Sequence, residues 1–301
     1  MHKVLVVCGP TAVGKTSLAL RLAKQLNGEL ISADSRQVYR YLNIGTGKEG
    51  KKVWLYDVAG PKDQFNVADY VRLTRPVIED IWQRKKLPIV VGGTGFYIKA
   101  LVEGVESLGV EPDWELRREL EKLSVIELQD KLKSLMVQGF NQMNQSDQNN
   151  PRRLIRKIEI IKNFSPKADW KTKKLKIDSL LMIGLKAPKE ILFKRIEKRV
   201  DDRVKEGMEK EIRGLLVKGY NWRNSVMGVT LGYQQWQAFF EERQSQEAAI
   251  AEWKRAEKEY ARRQMTWFKK DKRVIWLDIS LDEWENKLKL CLKKSKFLAG
   301  R

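Results

Sequence analysis

Histidine, cysteine and long apolar runs are scarce in this chain of 301 residues. The single histidine is His2, beside the start methionine, so histidine has almost no scope as a general base or a metal ligand. Any catalytic base must therefore be a carboxylate, a tyrosine or a lysine. The two cysteines, Cys8 and Cys291, lie at opposite ends without CxxC spacing, which predicts a reducing compartment and no disulfide framework.

No apolar run reaches the roughly 18 residues that a membrane-spanning helix needs. The first apolar run, residues 4–8, is also too short for a secretory signal. We therefore expect a cytoplasmic protein without a membrane partner. Nothing in the sequence demands a dimer, so we expect a monomer.

Acidic residues are outnumbered, because 59 Lys+Arg against 39 Asp+Glu give a net charge of +20. The excess positive charges repel one another unless an anionic partner neutralises them, and a nucleic-acid backbone is the commonest partner of this kind. The excess is concentrated in residues 152–176, which contain ten basic and two acidic side chains, and in a second basic segment at residues 249–270. Charged runs are usually solvated surfaces, so the charge alone does not establish RNA binding.

Short apolar runs typical of buried strands recur along the chain, with helical patterns such as residues 67–84 between them. The predicted strands are residues 4–7, 29–32, 53–57, 88–91, 180–185 and 274–278. Alternation of this kind predicts an α/β fold: a parallel sheet of the P-loop NTPase type, covered by helices on both faces.

Residues 111–177 differ from the rest because helical periodicity dominates there and no strong strand pattern appears. We interpret this segment as a helical, basic insertion domain. Residues 1–110 and 178–301 then form one P-loop α/β catalytic core with C-terminal helices.

Residues 9–16 read GPTAVGKT and fit the GxxxxGK[ST] phosphate-binding loop, at the expected position between a strand and a helix. In such loops backbone N–H groups surround a diphosphate, and the helix N-terminus adds its positive end. The lysine neutralises phosphate oxygens and the final hydroxyl ligates Mg²⁺. The predicted diphosphate- or nucleotide-binding residues are Gly9, Pro10, Thr11, Ala12, Val13, Gly14, Lys15 and Thr16, with Thr16 as the metal ligand.

The loop predicts a diphosphate ligand but not a reaction. GTPases are disfavoured, since residues 88–95 read PIVVGGTG without a DxxG motif and the sequence contains no NKxD. On the loop alone, a small-molecule kinase that binds ATP stays possible.

Further motifs follow in order: ISADSRQVY at residues 31–39, NIGTGK at 43–48 and VGGTGFY at 91–97. Later come NPRRL at 150–154, LGY at 231–233 and RRQMTWF at 262–268. Together with the phosphate-binding loop, these motifs closely resemble bacterial tRNA dimethylallyltransferases over nearly the whole chain. One departure is EKEY at 257–260, where the family more usually has a Thr-Arg start.

The resemblance implies transfer of a dimethylallyl group from dimethylallyl diphosphate to the exocyclic amine of the adenosine 3′ to the tRNA anticodon. Asp34 matches the family's catalytic aspartate, and a base suits this reaction because the amine lone pair is delocalised into the purine. Thr11 matches a contact near the bridging oxygen of the diphosphate. Arg199 matches an arginine that helps to hold the diphosphate. Together with Lys15, these are the predicted catalytic residues.

The resemblance also implies a set of residues that contact the anticodon stem-loop, which the insertion is expected to clamp. By itself, an Asp after a strand is more often structural, and a Thr in a tight turn is as often structural as functional. The motif context therefore carries these assignments. The predicted tRNA-binding residues are Asp34, Ser35, Arg36, Gln37, Thr94, Arg117, Arg152, Arg153, Arg156, Gly232, Tyr233, Arg262, Arg263 and Gln264.

Three other functions stay open at this point. An adenylate isopentenyltransferase would use the same core on a free nucleotide, but it has no use for a basic insertion. A nucleotide-kinase-type phosphotransferase would use the loop for ATP. A basic RNA chaperone with a degenerate loop would need neither Lys15 nor Asp34.

Overall fold

A computed structural model of the chain describes residues 1–48, 53–104, 110, 112–163, 175–295 and 297. Its centre is a parallel sheet of five strands in the order β2-β3-β1-β4-β5. The strands are β1 Lys3–Cys8, β2 Gly28–Ser32, β3 Leu87–Gly92, β4 Ser179–Lys186 and β5 Val274–Asp278. In the register, Val6 of β1 faces Val90 of β3 on one side and Met182 of β4 on the other. The predicted parallel sheet is confirmed.

Helices follow most of the strands, as the alternating sequence pattern predicts. They are α1 Lys15–Leu26, α2 Val67–Gln83, α3 Gly95–Glu103, α4 Trp114–Leu120, α5 Val125–Leu135, α6 Val137–Asn141, α7 Gln145–Gln148, α8 Pro151–Asn163, α9 Lys189–Lys205, α10 Met208–Val217, α11 Gln237–Phe240, α12 Gln246–Phe268 and α13 Trp284–Lys294. No helix in the described part of the chain is both long enough and apolar enough to cross a bilayer.

Local sequence signals fix where α2 begins. The Asn66 side chain accepts hydrogen bonds from the backbone N–H groups of Ala68 and Asp69, at 2.7 and 3.2 Å. The Asp69 carboxylate accepts the Asn66 N–H in return, at 3.0 Å. This reciprocal capping box satisfies donors that have no partner inside the helix. The apolar face of α2 then buries Tyr70 and Ile78 completely.

Residues 53–57, predicted as a strand, form only one isolated parallel bridge to β2. Trp54 exchanges two backbone hydrogen bonds with that strand. Leu55 and Asp57 then adopt positive φ angles of 71° and 58°, which a β-strand cannot contain. The strand prediction was wrong here because two left-handed residues end the extended conformation just after the bridge.

Apolar side chains on both faces of the sheet make the main core, in which Leu5, Val7 and Ile183 have no exposed surface. A second buried cluster forms around Trp236 and Trp253, which are also fully buried. Burial of aromatic rings of this size contributes about 2–3 kcal/mol each relative to exposure. This second cluster packs around α9, α10 and α12, and the motif at residues 262–268 lies on α12.

The chain folds as two compact units, residues 1–102 with 175–301, and residues 103–174. The boundaries predicted from the sequence were 110/111 and 177/178. The smaller unit contains α4 to α8 and has its own apolar core. That core consists of Leu116, Leu120, Leu128, Leu132, Phe140, Leu154, Ile155 and Ile158.

Gly9 joins β1 to the phosphate-binding loop with φ of 133°, and a Cβ there would overlap the Leu185 carbonyl oxygen. We predict that Gly9→Ala lowers the free energy of unfolding by about 2–3 kcal/mol, because it adds backbone strain to a steric conflict. Gly214→Ala is the matched control, since Gly214 lies in α10 with open space around it. That change should raise stability by up to about 1 kcal/mol. Urea denaturation of both variants checks this, and equal effects would contradict it.

Candidate active site

A cavity of about 700 Å³ opens where β1, β2 and β3 end. Parallel sheets gather the carboxyl ends of their strands at one edge, where loops carry the functional side chains. The cavity lies within the larger unit, and many of the predicted site residues line it. These are Thr11, Lys15, Thr16, Asp34, Ser35, Arg36, Gln37, Arg199, Arg263 and Gln264. The structure therefore brings the loop lysine, the aspartate and the α9 arginine to one place.

The loop at residues 9–16 turns sharply between β1 and α1. Gly9, Ala12 and Gly14 all have positive φ angles, of 133°, 61° and 98°. Such a conformation in Ala12, which has a Cβ, is strained and is typical of functional loops. Since α1 begins at Lys15, its unpaired N–H groups and positive dipole end lie at the cavity. The loop has the form of an anion-binding site.

Lys15 is a cation held largely out of water. Its Nζ donates a hydrogen bond to the Pro10 carbonyl oxygen at 2.7 Å. Burial, with a further contribution from the Arg199 guanidinium, lowers the pKa of Lys15 to about 8, while Asp34 acts in the opposite direction. A bound anion would raise this pKa again, so anion binding and protonation of Lys15 favour each other.

Arg199 of α9 reaches the phosphate-binding loop directly. Its Nη2 donates a hydrogen bond to the Thr11 hydroxyl and a second one, at 3.3 Å, to the Glu257 carboxylate of α12. The resemblance pairs Thr11 and Arg199 on one diphosphate. The structure holds these two side chains in contact, so a single phosphate group could touch both.

Asp34 follows β2 and is fixed by backbone contacts to the end of β3. The Ala33 N–H donates to Val91, and the Ala33 carbonyl accepts from Thr94 N–H at 3.1 Å. The Ser35 N–H donates to the Thr94 hydroxyl at 3.1 Å, which gives Thr94 a structural task beside Asp34. One Asp34 oxygen accepts the Arg36 N–H at 2.8 Å. Within the described part of the chain Asp34 makes no ion pair, so its carboxylate stays available as a base.

The side-chain amides of Gln37 and Gln264, both predicted to contact tRNA, are engaged inside the protein. Gln37 accepts the Ser32 hydroxyl at 2.7 Å and donates to the carbonyls of Thr46 and Gly47. Gln264 is 5% exposed, accepts the Thr11 N–H at 2.8 Å and donates to the Gly93 carbonyl at 3.0 Å. It therefore joins the phosphate-binding loop to the turn after β3.

Tyr233, another predicted tRNA contact, has no exposed surface. Its hydroxyl donates to Glu211 at 2.5 Å. The same carboxylate accepts the N–H groups of Asn43, Ile44 and Gly45. In this conformation the Tyr233 side chain supports the turn at residues 43–48 and offers no surface to RNA, while Gly232 precedes it with φ of 90°.

Four cavity residues on α9 and α12 were not predicted from the sequence: Asp202, Arg203, Glu257 and Tyr260. Burial raises the pKa of Tyr260 above its usual range, and interaction with the Thr94 side chain opposes that rise. The sequence did contain one signal for Glu257 and Tyr260. Tyr260 and Gln264 lie three and seven residues after Glu257, so all three share one face of α12. Polar residues on the face that also buries Ala261 indicate a polar site beneath the helix.

The predicted RNA-binding arginines of the smaller unit fall into two groups. Arg117 and Arg156 both pair with Glu159, a carboxylate without exposed surface, with Arg117 Nε at 2.8 Å. Burial alone would raise the pKa of Glu159, but hydrogen bonds from these two arginines hold it below its usual value. Arg152 and Arg153 are instead exposed, and Arg153 pairs with Asp147. Residues 164–174 of the basic segment lie outside the described residues.

Arg262 and Arg263 lie in the C-terminal part of α12. Arg262 pairs with Glu259 and lies over the Phe193 ring, with 5.2 Å from Cζ to the ring centroid. Arg263 lines the cavity and lies 5.8 Å from the centroid of the Tyr260 ring. Both guanidinium groups are thus held against aromatic faces, which favours contact with a phosphate or a base.

A metal site made by protein side chains alone is not evident, since no cluster of three His, Cys, Asp or Glu occurs among the described residues. The Thr16 hydroxyl lines the cavity beside Lys15, and the carboxylates of Asp202 and Glu206 line it too. Mg²⁺ is commonly held by few protein oxygens together with substrate phosphates. These residues fit a cation that arrives with a diphosphate.

Two family models match the chain. One, described as IPP transferase, covers residues 37–271, and another, described as isopentenyl transferase, covers residues 2–54. Relatives from Acetivibrio thermocellus and Halalkalibacterium halodurans, both named tRNA dimethylallyltransferase, are 37% and 36% identical to the chain. They match 99% and 100% of its length and 98% of their own.

Solved structures agree with the sequence relatives. A full-length tRNA isopentenylpyrophosphate transferase from Bacillus halodurans is similar with a TM-score of 0.71 at 35% identity, over 99% of this chain and 97% of that one. A eukaryotic dimethylallyltransferase, described as acting on tRNA, gives a TM-score of 0.81 at 26% identity. That match covers 100% of this chain and 80% of the other.

The lowered pKa of Lys15 predicts a pH-dependent affinity for inorganic pyrophosphate. As the pH rises through about 8 the free protein loses the Lys15 charge, so the affinity should fall by up to about tenfold per pH unit. Calorimetric titration from pH 6.5 to 9.5 measures this. Lys15→Arg is the control, because its guanidinium stays charged and the ligand's own ionisation is the same. The ratio of the two affinities should change with pH, and parallel profiles would contradict the assignment.

Proposed function

This chain belongs to the IPP transferase family, and we propose that it prenylates tRNA. It transfers a dimethylallyl group from dimethylallyl diphosphate to the exocyclic amine of the adenosine 3′ to the anticodon, releasing pyrophosphate. The observation that carries the proposal is the common cavity of Lys15, Thr11 and Arg199 with the carboxylate of Asp34. The reaction needs this combination, because the diphosphate requires cationic and hydroxyl groups to bind it and the nucleophile requires a base to accept its proton.

In this mechanism the adenine N6 attacks C1 of the dimethylallyl group, a C–N bond forms, and the C–O bond to the diphosphate breaks. The electron pair of that bond leaves with pyrophosphate. Lys15, the loop N–H groups and Arg199 stabilise the developing charge, and donors positioned in advance are effective because they need no reorganisation. Thr11 touches Arg199 and is proposed to contact the diphosphate near its bridging oxygen.

Asp34 is proposed to accept the N6 proton. The carboxylate is held by the Arg36 N–H and the end of β3, free of an ion pair in the described part of the chain. A base in this position typically contributes roughly 10²–10⁴ in rate. The protonated carboxyl group then returns the proton to water after pyrophosphate leaves.

Chemistry on a diphosphate generally uses a divalent cation, and we propose Mg²⁺ for this chain. Thr16 would hold it together with phosphate oxygens of the substrate, and Asp202 and Glu206 line the same cavity. When bound, the cation neutralises negative charge on the leaving pyrophosphate.

We propose that the basic helical segment at residues 111–177 binds the anticodon stem-loop. Of its described arginines, Arg152 and Arg153 are exposed, whereas Arg117 and Arg156 are tied to Glu159 and would orient a contact surface. A base inside a stacked loop is out of reach, so the adenosine must be extruded at a cost of a few kcal/mol. Phosphate contacts and stacking on Arg262 and Arg263 would offset that cost.

Ser35, Arg36, Gln37 and Thr94 would then lie beside the extruded base. Tyr233 supports the turn at residues 43–48 through Glu211, and Gln264 supports the turn after β3. Gly232 precedes Tyr233 with a positive φ angle. For such an enzyme we propose a cytoplasmic location and a monomeric state.

The defining test is an acceptor assay with purified protein, dimethylallyl diphosphate and Mg²⁺. We expect prenylation of unmodified tRNA with adenosine after the anticodon, detected by mass spectrometry of the digested RNA. AMP should be a poor acceptor, because a free nucleotide lacks the RNA backbone that the basic surface is proposed to bind. Efficient AMP prenylation would point to an adenylate isopentenyltransferase. Transfer of a terminal phosphate from ATP, without prenylation, would point to a kinase.

Replacing Asp34 by Asn should lower kcat by roughly 10²–10⁴-fold, because the amide cannot accept the N6 proton. The affinity for tRNA, measured by filter binding, should change less than about threefold. Asp80→Asn, an equal charge change at an exposed residue paired with Arg84, is the control and should leave both quantities unchanged. Lost tRNA binding with normal turnover in the Asp34 variant would show that Asp34 is no base.

A further inference from the structure

The cavity is lined by a charge cluster of Arg199, Arg203 and Glu257, in which Arg203 and Glu257 are buried and Arg199 is 32% exposed. Arg199 Nη2 is 3.3 Å from one Glu257 oxygen, and Arg203 Nη1 is 3.6 Å from the other. The side chains of Glu257 and Arg203 are only 5% and 8% exposed. One carboxylate thus lies between two guanidinium groups from successive turns of α9.

The cluster is electrostatically costly without its carboxylate. Burial and, to a smaller extent, the charge of Arg199 lower the pKa of Arg203 to about 10, while Glu257 acts in the opposite direction. Unpaired buried charges of like sign repel strongly, because little water screens them. Glu257 therefore sets the balance of attraction and repulsion that acts on Arg199.

Glu257 is itself held rigidly. The indole Nε1 of the fully buried Trp253 donates to one of its oxygens at 3.3 Å, one turn earlier on α12. The second oxygen is the one that accepts from Arg199. A carboxylate fixed by a core tryptophan can direct the guanidinium that it binds.

Arg199 depends on few contacts for its orientation. Its Nε is buried and has no hydrogen-bond partner among the described residues. Its observed bonds are those of Nη2, to Thr11 on the loop and to Glu257 behind it. When a phosphate group competes for the contact at Thr11, Glu257 is the anchor that remains.

The other half of the cluster faces the turn at residues 43–48. Arg203 Nη1 donates to the Gly45 carbonyl at 3.0 Å. Its Nη2 lies so close to Gly47 that a Cβ there would overlap it. The guanidinium of Arg203 is therefore fixed to the turn. Because it is a cation, it cannot accept a hydrogen bond from Arg199 in place of Glu257.

We propose that Glu257 is a positioning residue that orients Arg199 toward the diphosphate of the prenyl donor. The inference rests on the proposed function, in which Arg199 contacts that diphosphate. Glu257 acts through Arg199 and touches neither the transferred group nor the base.

The test is a double-mutant cycle of Glu257→Gln and Arg199→Ala, with steady-state kinetics and pyrophosphate calorimetry. Glu257→Gln keeps size and shape but removes the charge. It should raise KM for dimethylallyl diphosphate and weaken pyrophosphate binding, each about tenfold, with KM for tRNA changed less than about twofold. In the Arg199→Ala background the same change should have less than about a twofold effect. Additive effects would overturn the proposal.

A second variant distinguishes a purely structural role of Glu257 from the positioning role. This variant combines Arg203→Met with Glu257→Gln and so removes one charge of each sign. This pair relieves the repulsion in the cluster but leaves Arg199 without its anchor, so KM for dimethylallyl diphosphate should stay about tenfold raised. A return to the normal KM would show that Glu257 only balances Arg203. If the single variant fails to fold, this one decides the question.

Glu285→Gln is the matched control, since Glu285 pairs with Arg21 at an exposed site. It should leave both readouts unchanged. Failure of the proposed function can be distinguished from failure of the proposal on Glu257. If the proposed function is wrong, the protein without substitutions would bind pyrophosphate but would not prenylate tRNA. The pyrophosphate affinities of the cycle would then still judge the role of Glu257.

Discussion

Positive charge held away from water at the carboxyl edge of the sheet is the constraint on which the rest of the site depends. Lys15, Arg199 and Arg203 all line one cavity. Ion burial costs several kcal/mol per charge unless an opposite charge compensates it. Glu257 compensates within the protein, and a diphosphate would complete the balance. The site is thereby suited to an anionic leaving group, whose charge grows as the bond to carbon breaks.

Asp34, the proposed base, lines the same cavity as these cations and makes no ion pair in the described part of the chain. Backbone pairing between the ends of β2 and β3 fixes Asp34 through Ala33 and Thr94. Gly92 permits that approach, because a Cβ there would overlap the Ala33 carbonyl. Gln264 then ties the phosphate-binding loop to the turn after β3. In the proposed mechanism, the sheet edge rather than a direct contact therefore places the diphosphate-binding loop and the proton acceptor in relation to each other.

The fold and the centre of the site were predictable because their signals are local. A strand, a Gly-rich turn and a helix are contiguous at residues 3–26, and the strand edge gathers whatever follows β2 and β3. The bent segment at 53–57 was not predictable, since its φ angles follow from tertiary contacts. Nor were the tasks of Glu211, Glu257 and Tyr233, whose partners lie far away in the sequence. Motif matching placed Tyr233 and Gln264 among the RNA contacts, whereas burial gives both side chains supporting contacts.

The most direct measurement is a crystal structure with an unreactive thio analogue of dimethylallyl diphosphate and an anticodon stem-loop. We expect the two phosphate groups to lie against the loop at residues 9–16, within hydrogen-bond distance of Lys15 and Arg199. We also expect an extruded adenine with its exocyclic amine within hydrogen-bond distance of Asp34. A complex in which Asp34 lies remote from every base, or in which the phosphates lie elsewhere, would contradict the proposed mechanism.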